Sequence, residues 1–124
     1  MKKSTPVLIG DIGGINSRLC IMRLSSDINS IPEIIDRKTL VSFEYQSVEN
    51  LIEFYLKDFK STNNYPVYAA IGVPAPIANN TLLQIVNLPH WKPMNGDVIA
   101  KNLGLQKLVF LNDFVCNVWN TIKI

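Results

Sequence analysis

The stretch Pro6-Val-Leu-Ile-Gly-Asp-Ile-Gly-Gly-Ile-Asn-Ser-Arg-Leu-Cys-Ile-Met-Arg-Leu24 sets the fold class. Residues 6–10 form an apolar run of strand length, ended by Asp11-Ile12-Gly13-Gly14. Residues 18–24 read as a second strand, and two strands joined through a Gly-Gly turn make an antiparallel hairpin. Outward from it, residues 25–32 are a polar turn and residues 36–43 a third strand. Residues 47–59 carry Val48, Leu51, Ile52, Tyr55 and Phe59 on one stripe of a 3.6-residue period, with Ser47 placed to cap the helix and Glu49 in its first turn.

Lys60-Ser-Thr-Asn-Asn-Tyr-Pro66 breaks that helix. Residues 67–73, Val-Tyr-Ala-Ala-Ile-Gly-Val, are a continuous apolar run of the kind found in a central strand buried on both faces, and Pro74-Ala-Pro76 stops it. A hairpin through Asn79-Asn80 leads into a strand at 82–86. A second helix covers 96–103, with Gly104 as a left-handed C-cap. Residues 107–111 form another strand, with Asn112-Asp113 at its carboxyl end and a helix over 114–121 beyond. The order predicts an α/β domain: a mixed sheet of five or six strands with flanking helices.

With 124 residues, 48% hydrophobic and 18% charged, the chain is one domain with material for one core, unlike a disordered chain. A net charge of +2 without a basic block gives no electrostatic case for nucleic acid or an anionic membrane. No apolar run approaches the roughly 18 residues of a membrane span. After Met1-Lys2-Lys3 only Val7-Leu8-Ile9 precedes Gly10-Asp11, too short for a secretory h-region, so a cytoplasmic location is expected. Cys20 and Cys116 have no metal or redox spacing and read as reduced core thiols.

Two polar clusters lie at strand ends. In Asp11-Ile12-Gly13-Gly14-Ile15-Asn16-Ser17, glycines allow close backbone approach to a ligand, and successive N–H groups make a concavity suited to phosphate oxygens. An Asp at the strand end can hold Mg²⁺ through its waters. Neither GxxxxGK[ST] nor GxGxxG is present, so Walker and dinucleotide loops are excluded. An ordinary hairpin turn needing glycine at positive φ stays open as the alternative. In the second cluster, Leu111-Asn112-Asp113-Phe114, a carboxylate can accept a proton from a substrate hydroxyl and the amide can bond a polyol. Equally, Asp113 can simply N-cap the next helix. Asn87 is open between sugar contact and turn formation, Trp91 between stacking and packing, and His90 has no visible partner and reads as a loop residue.

In their joint order these segments resemble bacterial-type glucokinases, of the hexokinase/actin-like ATPase superfamily. Residues 8–18 resemble the opening phosphate loop, Ala70-Ile-Gly-Val-Pro74 the central strand and turn, Val86-Asn-Leu-Pro-His-Trp91 the sugar-side loop, and residues 103–114 the segment ending in the catalytic aspartate. The resemblance implies a ribonuclease H-like domain, with residues 1–124 the N-terminal domain of a sugar kinase whose C-terminal domain is missing. It implies ATP and Mg²⁺ as cofactors and glucose or a similar hexose as partner, with homodimerisation of the full-length form left open. Asp113 would be the general base for the sugar 6-hydroxyl. Asn112 and Asn87 would bind sugar hydroxyls, Gly13, Gly14 and Asn16 the ATP phosphates, and Asp11 the Mg²⁺, through water. Ile15 stands where the family has threonine. A lost hydroxyl bond to phosphate costs about 1.5–3 kcal/mol, roughly tenfold to a hundredfold in rate. A non-catalytic sugar-binding module and a kinase for another hydroxyl substrate are the alternatives.

Overall fold

The computed structural model describes residues 4–27 and 29–112. In chain order it has β1 (Ser4–Asp11), β2 (Asn16–Ser25), β3 (Glu33–Val41), a 3-10 turn (Ser42–Glu44), α1 (Val48–Leu56), a second 3-10 turn (Lys57–Phe59), β4 (Tyr68–Val73), β5 (Ile77–Ala78), β6 (Thr81–Leu82), β7 (Met94–Asn95), α2 (Gly96–Leu103) and β8 (Lys107–Asn112). The main sheet has five strands in the order β3-β2-β1-β4-β8, and β5-β6-β7 make a small second sheet. β1 pairs antiparallel with β2 and parallel with β4, and β4 pairs parallel with β8. The sheet is therefore mixed, as the sequence predicts. The carboxyl ends of β1, β4 and β8 share one edge.

The core lies where the inward faces of the strands meet α1 and α2. Leu8, Leu19, Ile21, Ile71 and Leu108 are fully buried beneath Leu51, Ile52, Leu56 and Ile99. Asn102 of α2 donates to the Glu49 carboxylate of α1 at 3.3 Å, so both helices lie side by side on one face. The Tyr55 hydroxyl donates to Asp36 at 2.8 Å, tying α1 to β3, and burial together with this carboxylate pushes the phenol far above its usual range. Ser47 Oγ accepts the Asn50 N–H, the expected N-cap, and Gly104 ends α2 at φ 75.

Four expectations change. The third strand ends at Val41, not at 43, because the Ser42 carbonyl accepts the Tyr45 N–H and the chain turns into a 3-10 segment. Strand structure at 82–86 is confined to Leu82, because the Gln84 side chain donates to the Ile85 and Leu88 carbonyls and turns the chain. β4 is buried on one face only: Tyr68 is 46% exposed and Ala70 half-buried, since both helices cover the opposite side. Cys20 is half-buried on that uncovered face, not in the core. Asp113, Cys116 and the helix expected over 114–121 lie outside the described residues. No helix among the described residues is long and apolar enough to cross a membrane.

The Asn79-Asn80 hairpin forms as predicted, both residues taking positive φ (51 and 56) as a two-residue turn requires. The Asn80 side chain then spans to the sheet, donating to the Leu108 carbonyl at 2.7 Å and accepting the Phe110 N–H at 2.9 Å. Asn80→Gly keeps the turn's φ and removes both bonds, so it is expected to lower the unfolding free energy by about 1–3 kcal/mol. Asn80→Ala adds the cost of a left-handed alanine, about 1–2 kcal/mol more. Urea denaturation of the pair measures both components.

Candidate active site

The turn from β1 to β2 is shaped by contact. Neither Gly13 nor Gly14 takes a positive φ, so the ordinary hairpin explanation of the diglycine does not apply. A Cβ on Gly13 would lie 2.5 Å from the Asn16 carbonyl oxygen, and one on Gly14 would lie 2.9 Å from both Cβ and Nδ2 of Asn87. Both positions need glycine for room. The bend is so tight that its own backbone fills the space beside Gly13, and the loop carrying Asn87 presses against Gly14.

Three hydrogen bonds from two further elements hold the bend. The Ile12 N–H donates to the Gly72 carbonyl of β4 at 2.8 Å. The Ser42 N–H donates to the Ile15 carbonyl at 2.9 Å, and Ser42 Oγ donates to the Gly13 carbonyl at 2.6 Å. Ser17 Oγ lies 2.7 Å from Ser42 Oγ, and both serines are 0% exposed. A hydroxyl has one proton, and Ser42 gives its own to Gly13, so Ser17 is the donor in this pair. Both buried hydroxyls are thereby satisfied.

The register fixes the rest. Asp11 faces Arg18 across the antiparallel pair and Gly72 across the parallel one, while Leu111 pairs with Gly72 and Asn112 with Val73. Asp11 and Asn112 therefore sit at the same carboxyl edge, two strand spacings or about 10 Å apart. Arg18, opposite the half-buried Asp11, adds a positive charge beside the bend. Asn16 opens β2, with its carbonyl against Gly13. Asn87 is exposed and touches Gly14. Asp113 follows Asn112 in sequence and lies outside the described residues.

Two loop residues behave differently from their sequence expectations. Trp91 is 2% exposed and donates Nε1–H to the Tyr45 carbonyl at 2.9 Å, so it packs instead of offering a stacking face. His90, without a visible partner in the sequence, has Nε2 at 2.8 Å from the same carbonyl and its ring 4.7 Å from that of Phe43. A carbonyl only accepts, so Nε2 carries the proton. Ser17, Ser42 and Tyr45 were not singled out in the sequence. Ser17 alone had a signal, since it shares the inward phase of Leu19 and Ile21 and a hydroxyl in that phase demands a partner.

Residues 8–123 match the family model described as Glucokinase. The glucokinase of Agrobacterium fabrum is 32% identical over 111 residues, covering 90% of this chain and 30% of the relative. That of Yersinia pestis is 30% identical over 111 residues, covering 90% and 31%. The crystal structure of a glucokinase from an Antarctic psychrotroph superposes with a TM-score of 0.73 at 25% identity, over 89% of this chain and 33% of that one. The chain thus spans about 30% of the length of the curated relatives it matches.

The two glycines differ in what a methyl group would displace. At position 13 it meets backbone of the same turn, and at position 14 it meets Asn87 at both its Cβ and its amide, so the loop itself must shift. Gly13→Ala is expected to cost about 2–3 kcal/mol in urea denaturation, and Gly14→Ala about 1–2 kcal/mol. Gly14→Ala should instead displace Asn87, seen as a shift of its side-chain amide resonances.

Proposed function

The chain belongs to the glucokinase family, and from that premise we propose that it forms the N-terminal domain of a cytoplasmic ATP-dependent kinase converting glucose to glucose 6-phosphate. The observation that carries this reading is the common carboxyl edge. The bend at Gly13 and Gly14, Asp11 and Asn112 lie at one carboxyl edge of the sheet, with Asn87 against the bend. Residues distant in sequence are thereby brought to one edge of the sheet, which supports reading them as donor and acceptor groups of one site.

In this proposal Gly13, Gly14 and Asn16 hold the phosphates of ATP, and Asn112 with Asn87 holds sugar hydroxyls. Asp113 takes the proton of the 6-hydroxyl as its oxygen bonds to the γ-phosphorus and the bond to the leaving ADP breaks. The hydroxyl acidifies as that bond forms, so an ordinary carboxylate suffices as base. Phosphoryl transfer has a loose transition state, and the protein's contribution is mainly positioning and charge.

The residues present fit a magnesium ion held indirectly. Among the described residues no group of three or more His, Cys, Asp or Glu side chains is arranged to hold a metal. Mg²⁺ is commonly held by one or two carboxylates together with substrate phosphates and retained waters, a role open to Asp11. The ion would supply neutralisation of phosphate charge. A second domain would complete the adenosine pocket and close over the sugar, so residues 1–124 alone are expected to turn over glucose negligibly.

The decisive measurement is a coupled glucose 6-phosphate assay on the full-length kinase and its Asp113→Asn variant. The variant is expected to lose about 10²–10⁴-fold in kcat. Its glucose affinity by calorimetry should stay within about threefold, since the amide still bonds a hydroxyl. Near-normal turnover would assign the proton to another group. Glucose binding without turnover in the unsubstituted protein would favour a non-catalytic sugar-binding module, the reading to which Ile15 in place of threonine lends itself.

A further inference from the structure

The 3-10 turn Ser42–Glu44 and the residue after it touch both halves of the proposed site. At its start, Ser42 holds the bend through two bonds, its N–H to the Ile15 carbonyl and its hydroxyl to the Gly13 carbonyl. At its end, the Tyr45 carbonyl accepts both Trp91 Nε1–H and His90 Nε2–H, which use its two lone pairs. Between them Phe43 lies against the His90 ring at a centroid distance of 4.7 Å although 65% exposed. The sugar-side loop in turn presses Asn87 against Gly14, which closes a ring of contacts from bend to turn to loop and back to bend.

The ring has few ways to relax. The Tyr45 N–H bonds the Ser42 carbonyl at 3.2 Å, so the turn is a single stiffened unit and not two independent ends. The loop side is also fixed internally, Leu88 N–H to Ile85 carbonyl and Trp91 N–H to Leu88 carbonyl, each at 3.0 Å. A displacement imposed at either end is carried through the turn as well as through the direct Asn87–Gly14 contact, because the segments on both sides are hydrogen-bonded into defined shapes.

We propose that the segment Ser42 to Tyr45 is a strut that sets the spacing between the phosphate bend and the sugar-side loop. Ser42, Tyr45 and His90 are then positioning residues, acting on the reactants only through Gly13, Gly14 and Asn87. The inference rests on the assignment of those three residues to donor and acceptor. The strut itself is testable without any phosphorylation.

Amide hydrogen exchange on the 124-residue chain reads it directly. His90→Ala cuts the loop end at an exposed side chain and is expected to speed exchange of the hydrogen-bonded Ile12 and Ser42 amides at the bend by about tenfold. Ser42→Ala cuts the other end and should speed exchange of the Leu88 and Trp91 amides similarly. His90→Gln, whose amide reaches the position of Nε2, should restore protection at Ile12 and Ser42. Acceleration confined to the loop that carries the substitution would overturn the strut. If Ser42→Ala does not fold, the His90 variants decide alone, since that side chain contributes nothing to the core. In the full-length kinase, His90→Ala should raise KM for MgATP as well as for glucose, and a rise for glucose alone would equally overturn it. If the 124-residue chain exchanges as expected while the unsubstituted full-length kinase phosphorylates nothing, the proposed function fails and the strut stands.

Discussion

At Gly13 the chain runs so close to itself that the Asn16 carbonyl occupies the place of a side chain. Everything at the carboxyl edge follows from that crowding. The bend can be this tight only if its backbone groups find partners off the hairpin, and they do: Gly72 takes the Ile12 N–H, and Ser42 supplies donors to Gly13 and Ile15. Because these partners belong to β4 and to the segment after β3, the bend is fixed relative to the whole sheet. β4 then carries that frame to β8, where Asn112 emerges in register. A loop that was merely flexible would leave the spacing of donor and acceptor groups undefined, and proximity is most of what a phosphoryl-transfer site provides.

The architecture was largely legible because its signals are local and periodic. The stripe of Val48, Leu51, Ile52 and Tyr55 gave α1, the Gly-Gly hairpin gave β1 and β2, and the Asn-Asn pair gave the β5–β6 turn. What escaped was set by contacts between remote segments. Nothing local to Ser42 marks it as the serine that holds the bend, since its acceptor, the Gly13 carbonyl, lies far upstream. His90 looked solitary because its partners, Phe43 and the Tyr45 carbonyl, are some 45 positions away in sequence. In the sequence the glycines read as allowing close approach of a ligand; the contacts that crowd them within the protein, Asn16 and Asn87, come from chain packing that the sequence does not display.

Ile15 illustrates how a departure from a family pattern is absorbed. Its carbonyl is engaged by Ser42 while its side chain is 74% exposed, so the exchange of threonine for isoleucine disturbs no packing. Under the proposed function the cost would fall on the ligand side, as one hydroxyl fewer beside the phosphates and an apolar group facing water. Stability and function are thus decoupled at this position.

The side chain of Asn80 also bears on association. β8 is the outermost strand of the main sheet, and such an edge ordinarily offers a row of backbone groups to any passing strand. Here the Leu108 carbonyl and the Phe110 amide are already occupied by one asparagine amide that imitates a peptide unit. An intruding strand would have to evict it first, so a single residue on a two-residue turn guards this border of the sheet against aggregation.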